Sequence, residues 1–468
     1  MNFKRNYLVI MSVLSSAMLV AGCSSNTNFK RFEFIKEQID SYEDEEDDHG
    51  SYIKYGKYDE FVSEVDSSIN LGKTQDLMRN FGGKSLLNTT GDQKLLVIPV
   101  EFKDYSCKDF GITEEEYIRN LEVSFFGVAD DNKYVSVAEY FNRSSYGKLR
   151  LGGKVTDKFY RFSKSVSEIK QGFNRDNLKN EYERIIEWYQ LHYDDIDEYK
   201  IDKNKGCEAS DFNIPVYLVY TYPTELNENK NSIFWAFTYP GVPFSWASYS
   251  FLAADKGKPD AHTFIHETGH LLGLVDYYPT NADSDSLIPE PTARIDMMDC
   301  SIGDETSFSK MLLNWTKPTY VNDTTEISLS SFTETGEVIL LGKNWNHTPF
   351  DEYYLFEYYT PTGLNSYDIS VGNSEAKLPK VPGIKIYHVD ARLAYYENKK
   401  IKDYCVFGEN APTSSISVGF AHDNNSYIEP DEYQKNYLYS LVLNHEKGMK
   451  TGAAVDANLF RFGDEIPE

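Results

Sequence analysis

Between Thr263 and Asp276 the chain reads Thr-Phe-Ile-His-Glu-Thr-Gly-His-Leu-Leu-Gly-Leu-Val-Asp, and no other stretch restricts its fold so tightly. On a helix, His266 and His270 stand at i and i+4, so both imidazoles leave the same face. Two ring nitrogens placed this way can hold one Zn²⁺ at about 2.0–2.1 Å each. Glu267, one residue on, reaches a water on the ion rather than the ion itself. Phe264, Ile265, Leu271, Leu272 and Val275 occupy the other faces, which predicts a buried helix whose polar side borders a cleft. Gly273 follows His270 by three residues, where a left-handed turn can end the helix and let Asp276 swing back as a third ligand. The bland alternative is a helix with surface histidines. A glutamate on a downstream helix is the other usual third ligand, but Glu290 lies between Pro289 and Pro291, which suits no helix interior.

The N-terminus addresses the chain. Lys4 and Arg5 precede a mostly apolar run from Tyr7 to Val20, too short to span a bilayer comfortably but long enough for an export signal. It closes as Leu-Val-Ala-Gly-Cys at residues 19–23, small residues leading into one cysteine, which resembles a bacterial lipoprotein signal with Cys23 as the lipidated first residue. An ordinary export signal is the competing reading. The expected order is a signal peptide over 1–22 and a lipidated tether over 23–90, including the acidic run 43–48. The body would sit on the extracytoplasmic face of the cell membrane. A formal net charge of -26 argues against nucleic acid and against electrostatic docking on anionic lipid. Cys107, Cys207, Cys300 and Cys405 are widely spaced, and bridges or free thiols suit them equally.

From residue 94 the pattern is globular. Lys94–Phe102 reads as a buried strand with Pro99 as a complication, Thr113–Phe126 as a helix with Thr113 as its N-cap, and Ser136 with Glu139 as a capping box. Leu149–Tyr160 and Ile214–Tyr220 read as strands, and Asn174–Tyr193 as a long amphipathic helix. Beyond about 320 the texture turns to strands: 326–329, 337–341, 352–358, 384–389 and 437–443. The expected fold is α+β, with a catalytic domain over 91–320 and a β-rich region over 321–468, a sheet or sandwich that either stands alone or completes the first.

Arg294-Ile295-Asp296-Met297-Met298-Asp299-Cys300 follows the zinc helix, where a methionine turn would floor a metal site, and Met298 is the better candidate for it. With the third histidine replaced by Asp276, the motif has the extended form of the metzincin class. His266 to Tyr278 resembles the zinc helix of the immune inhibitor A-like secreted metallopeptidases, HExxHxxGxxD followed by an aromatic. Met297-Met298-Asp299 resembles that family's Leu-Met-Asp turn, with Cys300 where Gly is common. Ser307 to Trp315 resembles its Ser-x-x-Lys-x-x-x-Gly-Trp segment, with Asn314 in place of Gly. The strand from Leu96, the helix from Ser136 and the segment Pro382 to Asp390, ending His-x-Asp, extend the likeness over roughly 94–465.

The resemblance implies a metzincin-like zinc endopeptidase acting on protein or peptide substrates, with His266, His270 and Asp276 as ligands and Glu267 as general base. Tyr277 and Tyr278 are near enough to be considered as oxyanion stabilisers, or they simply pack. Family members often carry structural Ca²⁺, which the acidic loops here would permit without any EF-hand pattern. Two other readings stay open: a catalytically silent adhesin or glycan-binding lipoprotein on the same fold, and a zinc hydrolase of non-peptide amides. Oligomeric state leaves no mark in the sequence.

Overall fold

The apolar run after Lys94 becomes β1, Gly91–Glu101, in which every residue from Leu95 onward is buried. On one side β1 pairs in parallel with Leu149–Val155 (β2) as far as Val97, then with Tyr160–Arg161 (β3) from Val100. Pro99 falls in the gap between these partners and faces that side, so its missing N–H breaks no ladder bond. The single strand expected over Leu149–Tyr160 is therefore two, because a turn in which the Thr156 hydroxyl donates to the Lys158 carbonyl (2.8 Å) interrupts it. Gly153 lies beneath β1 at φ 144°, where a Cβ would come within 1.9 Å of the Leu95 carbonyl oxygen.

The computed structural model describes residues 7–13, 33–38, 87–127, 134–200, 214–226, 233–239, 243–250, 259, 261–278, 291–299, 301–322, 325–370, 378–397, 400–405, 417–424, 437–442 and 459–460. Cys23, the acidic run 43–48, Cys207, Glu290 and Cys300 lie outside them. By internal contacts the chain divides into 75–275, and 276–468 with 1–74.

In 75–275 the helices start where their caps predict. Glu114–Phe126 (α1) begins after Thr113, whose hydroxyl accepts from the Glu116 N–H at 3.1 Å. Val137–Ser144 (α2) begins after Ser136, which accepts from the Glu139 N–H at 3.2 Å. The return half of that capping box is absent, since the Glu139 carboxylate pairs with Arg143 one turn on. Arg175–His192 (α3) follows Asn174, which does form a reciprocal box, with Asn177. Val216–Tyr220 (β4) and Phe244–Ser248 (β6) continue the parallel sheet beyond β1, and the short strand Phe237–Thr238 (β5) closes its edge in antiparallel sense. Ala261–Leu272 (α4) packs against β5 and β6. Ile98, Val100, Leu218, Tyr220, Phe244 and Trp246 belong to the core of this unit.

The second unit is built on a five-stranded sheet ordered β11–β10–β9–β8–β7: Thr319–Val321 (β7), Val338–Leu341 (β8), Glu352–Tyr359 (β9), Gly383–Asp390 (β10) and Tyr439–Val442 (β11). Only the β7–β8 pair within it is parallel. Ser307–Leu312 (α5) is tied to this sheet by the Ser307 N–H, which donates to Glu357 Oε2 at 2.9 Å. Lys310, wholly buried, pairs with Asp304 at 2.6 Å, and the Thr333 hydroxyl donates to the same carboxylate at 2.7 Å. These bonds hold 301–315 to the strands that follow, so the boundary expected near 320 lies inside this unit. Leu393–Glu397 pairs with Lys400–Cys405 and Ser417–Phe420 in a small sheet of its own. Tyr7–Val13, within the anticipated leader, lies between Glu33–Gln38 and Thr325–Leu329 in another. The protein is a mixed helix-and-sheet molecule, α+β at the coarse level. Cys107 is a buried free thiol. Among the described residues no helix is long and apolar enough to cross a membrane.

Candidate metal centre

Phe264 anchors α4 in its unit. Its ring stacks on Phe125 of α1 (centroids 4.7 Å apart) and meets Tyr217 of β4 edge-on at 5.3 Å. That packing turns the opposite face outward. His266 and His270, both half-buried, stand there with ring centroids 4.9 Å apart and planes at 89°. The helix ends as its sequence predicts: Gly273 adopts φ 104°, its N–H donates to the His270 carbonyl (3.0 Å), and the Leu274 N–H reaches back to the Gly269 carbonyl (3.0 Å). After this stop the chain returns Asp276, and one ligand atom from each of His266, His270 and Asp276 lies within 4.8 Å of the others.

The donor chemistry suits Zn²⁺. Nδ1 of His270 lies 2.8 Å from the Leu274 carbonyl, and since a carbonyl only accepts, Nδ1 carries the proton. That tautomer leaves Nε2 with its lone pair for a metal. Two imidazoles and a carboxylate are a common zinc set, and a tetrahedral ion at about 2.0–2.1 Å would hold such atoms about 3.3–3.5 Å apart, within the observed limit.

Glu267 points into the same unit and is buried, 4% exposed. Thr238, at the end of edge strand β5, places its hydroxyl 3.0 Å from Glu267 Oε2 and 2.8 Å from the Glu267 carbonyl oxygen. Ser245 of β6 lies 2.8 Å from the Thr238 hydroxyl. The Tyr217 hydroxyl is buried with no hydrogen-bond partner among the described residues, and burial, then the Glu267 charge, keeps it protonated far above its usual range. Neither Thr238 nor Ser245 carries a sequence signal, because both come from strands more than twenty residues upstream of the base.

Met298 is fully buried. Its carbonyl accepts the Tyr277 N–H at 3.0 Å, one residue after Asp276, and its own N–H donates to Asp296 Oδ1 at 2.8 Å. Asp296 also receives the hydroxyls of Thr306 (2.5 Å) and Ser309 (3.2 Å), binding the methionine turn to α5, a role the sequence did not single out. Tyr277 is fully buried and its hydroxyl lies 3.3 Å from Ser309 Oγ, so it packs within the second unit. Asn314 adopts φ 64°, the left-handed region open to Gly and Asn, which accounts for Asn standing where the resembling family has Gly.

Glu101, Cys107 and Glu114 form a second group whose ligand atoms converge. Arg161 already lies 3.3 Å from Glu101 and 2.9 Å from Glu114 and supplies the compensating charge there. No family model matches the chain, and no curated protein matches it.

Proposed function

We propose that this protein is a zinc-dependent endopeptidase, a metzincin-like enzyme of the immune inhibitor A-like kind, tethered outside a bacterial membrane through lipid on Cys23. One observation carries the catalytic reading: His266, His270 and Asp276 converge within 4.8 Å, and the buried carboxyl of Glu267 belongs to the same helix. When bound, the ion would acidify a water and polarise the carbonyl of the scissile bond. Glu267 takes the proton from that water and hands it to the departing amine. His270, oriented by the Leu274 carbonyl, and Asp276, returned by the Gly273 turn, fix where the ion sits. The Asp276 carboxylate would offset one of the ion's two positive charges, which would leave Glu267 a larger share of the water's activation than among three imidazoles.

Protein substrates and the lipid tether come from the resemblance and the leader pattern. A silent adhesin on the same fold has no use for a buried carboxyl beside the ligand face, and Glu267 weighs against that reading. The test is casein hydrolysis by the purified soluble chain with and without a chelator, run beside Glu267→Gln and Asp276→Ala. Chelation abolishes activity in this account. Glu267→Gln keeps zinc and loses about 10²–10⁴-fold in rate, the worth of a positioned general base. Asp276→Ala loses both zinc and activity. Undiminished hydrolysis by Glu267→Gln would place the activity elsewhere.

A further inference from the structure

The geometry points to Thr238 as the positioning residue of the general base, an inference that rests on the peptidase reading above. Thr238 lies at the end of the edge strand, opposite Ser245 in the antiparallel register. Its hydroxyl oxygen is within hydrogen-bond distance of three groups: Glu267 Oε2 (3.0 Å), the Glu267 carbonyl (2.8 Å) and Ser245 Oγ (2.8 Å). A hydroxyl has one proton to give and lone pairs to receive. Ser245, fully buried, has the Thr238 hydroxyl at 2.8 Å and the Glu267 carbonyl at 3.5 Å, and donating to the nearer oxygen directs the Thr238 proton toward Glu267. Of the two acceptors on Glu267, an ionised carboxylate draws the proton more strongly than a carbonyl.

Two consequences follow from this relay of hydroxyls. Oε2 of Glu267 is held, so the carboxyl cannot swing freely about its last two bonds. Through that bond to Oε2 the same hydroxyl also ties β5 to α4, so the edge strand and the base keep one spacing. Thr238 touches neither the ion nor the scissile bond in this assignment. Its effect reaches the reaction through Glu267 alone.

Thr238→Val removes the hydroxyl at nearly constant shape, and Thr238→Ser keeps it. Each is compared with wild type for zinc content and for kcat and KM on a peptide substrate. The expected result for Thr238→Val is a kcat lower by about tenfold to 10²-fold, the cost of a loosened catalytic group, with KM and zinc content within about twofold. Thr238→Ser restores kcat to within about threefold of wild type. Adding Thr238→Val to Glu267→Gln lowers kcat no further, because the group it serves is already gone. In metal-free protein, Thr238→Val lowers the Tm more in wild type than in Glu267→Ala, which reads the contact without turnover. Wild-type kcat in Thr238→Val, equal losses in the Ser and Val variants, or a further loss on the Glu267→Gln background would each overturn the assignment. Full activity in Glu267→Gln would overturn the peptidase reading instead, and the Tm cycle would still decide whether Thr238 holds Glu267.

Discussion

Glu305 is fully buried, with the charges of Asp296 and Asp304 nearby. Its pKa is therefore raised well above the ordinary 4.5, burial being the larger cause. A folded-state pKa above the unfolded one means that the native chain holds its proton longer. Stability from this group is fully present below the unfolded value and falls as pH rises toward the folded one. Glu305→Gln removes that slope, so the Tm of the variant relative to wild type should climb as pH rises above the ordinary 4.5. Parallel thermal melts across that range check it, and a constant difference would mean that Glu305 is not protonated in the native state. Residues like this one were illegible in the sequence. His266, Glu267 and His270 could be read because a helix fixes their relation within five positions. Thr238 and Ser245 could not, since their partners are set by strand register.

Gly273 controls the metal group at the scale of an element. Its φ of 104° lets α4 stop and turn Asp276 back, a conformation that a side chain resists by about 1–2 kcal/mol. Gly273→Ala should leave the helical signal nearly intact, yet weaken zinc about 10–100-fold by misplacing the third ligand. Competition with a chromophoric chelator measures this, and unchanged affinity would show that Asp276 finds its place without the turn. Helix starts were the most readable elements, because Thr113, Ser136 and Asn174 each satisfy an N–H of the first turn with their own side chain. The Glu139 half of the box failed where Arg143 offered an opposite charge one turn away. The strand after Leu149 was read too long because its turn depends on a side-chain bond from Thr156, which periodicity does not register.

At the scale of the molecule, the coarse class of α+β was legible from alternating patterns, whereas the division at 275 was not. Periodicity marks where strands begin, but buried bonds such as Ser307 to Glu357 decide which unit a connecting segment joins. The leader raises a second question at this scale. Tyr7–Val13 is the middle strand of a small sheet in the full chain, and cleavage before Cys23 would remove the strand on which Thr325–Leu329 pairs. We expect processed protein to partition into detergent with lipid on Cys23, and Cys23→Ala to be released or left unprocessed. Intact mass beginning at an unmodified Met1 would keep the strand and discard the anchor. The central claim is the ion and its three ligands, and anomalous diffraction at the zinc edge from crystals of the soluble chain tests it most directly. The account predicts one strong peak bonded by Nε2 of His270, a nitrogen of His266 and a carboxylate oxygen of Asp276, with Glu267 beside it but not bound. A peak coordinated by other residues, or by Glu267 in place of Asp276, would contradict it.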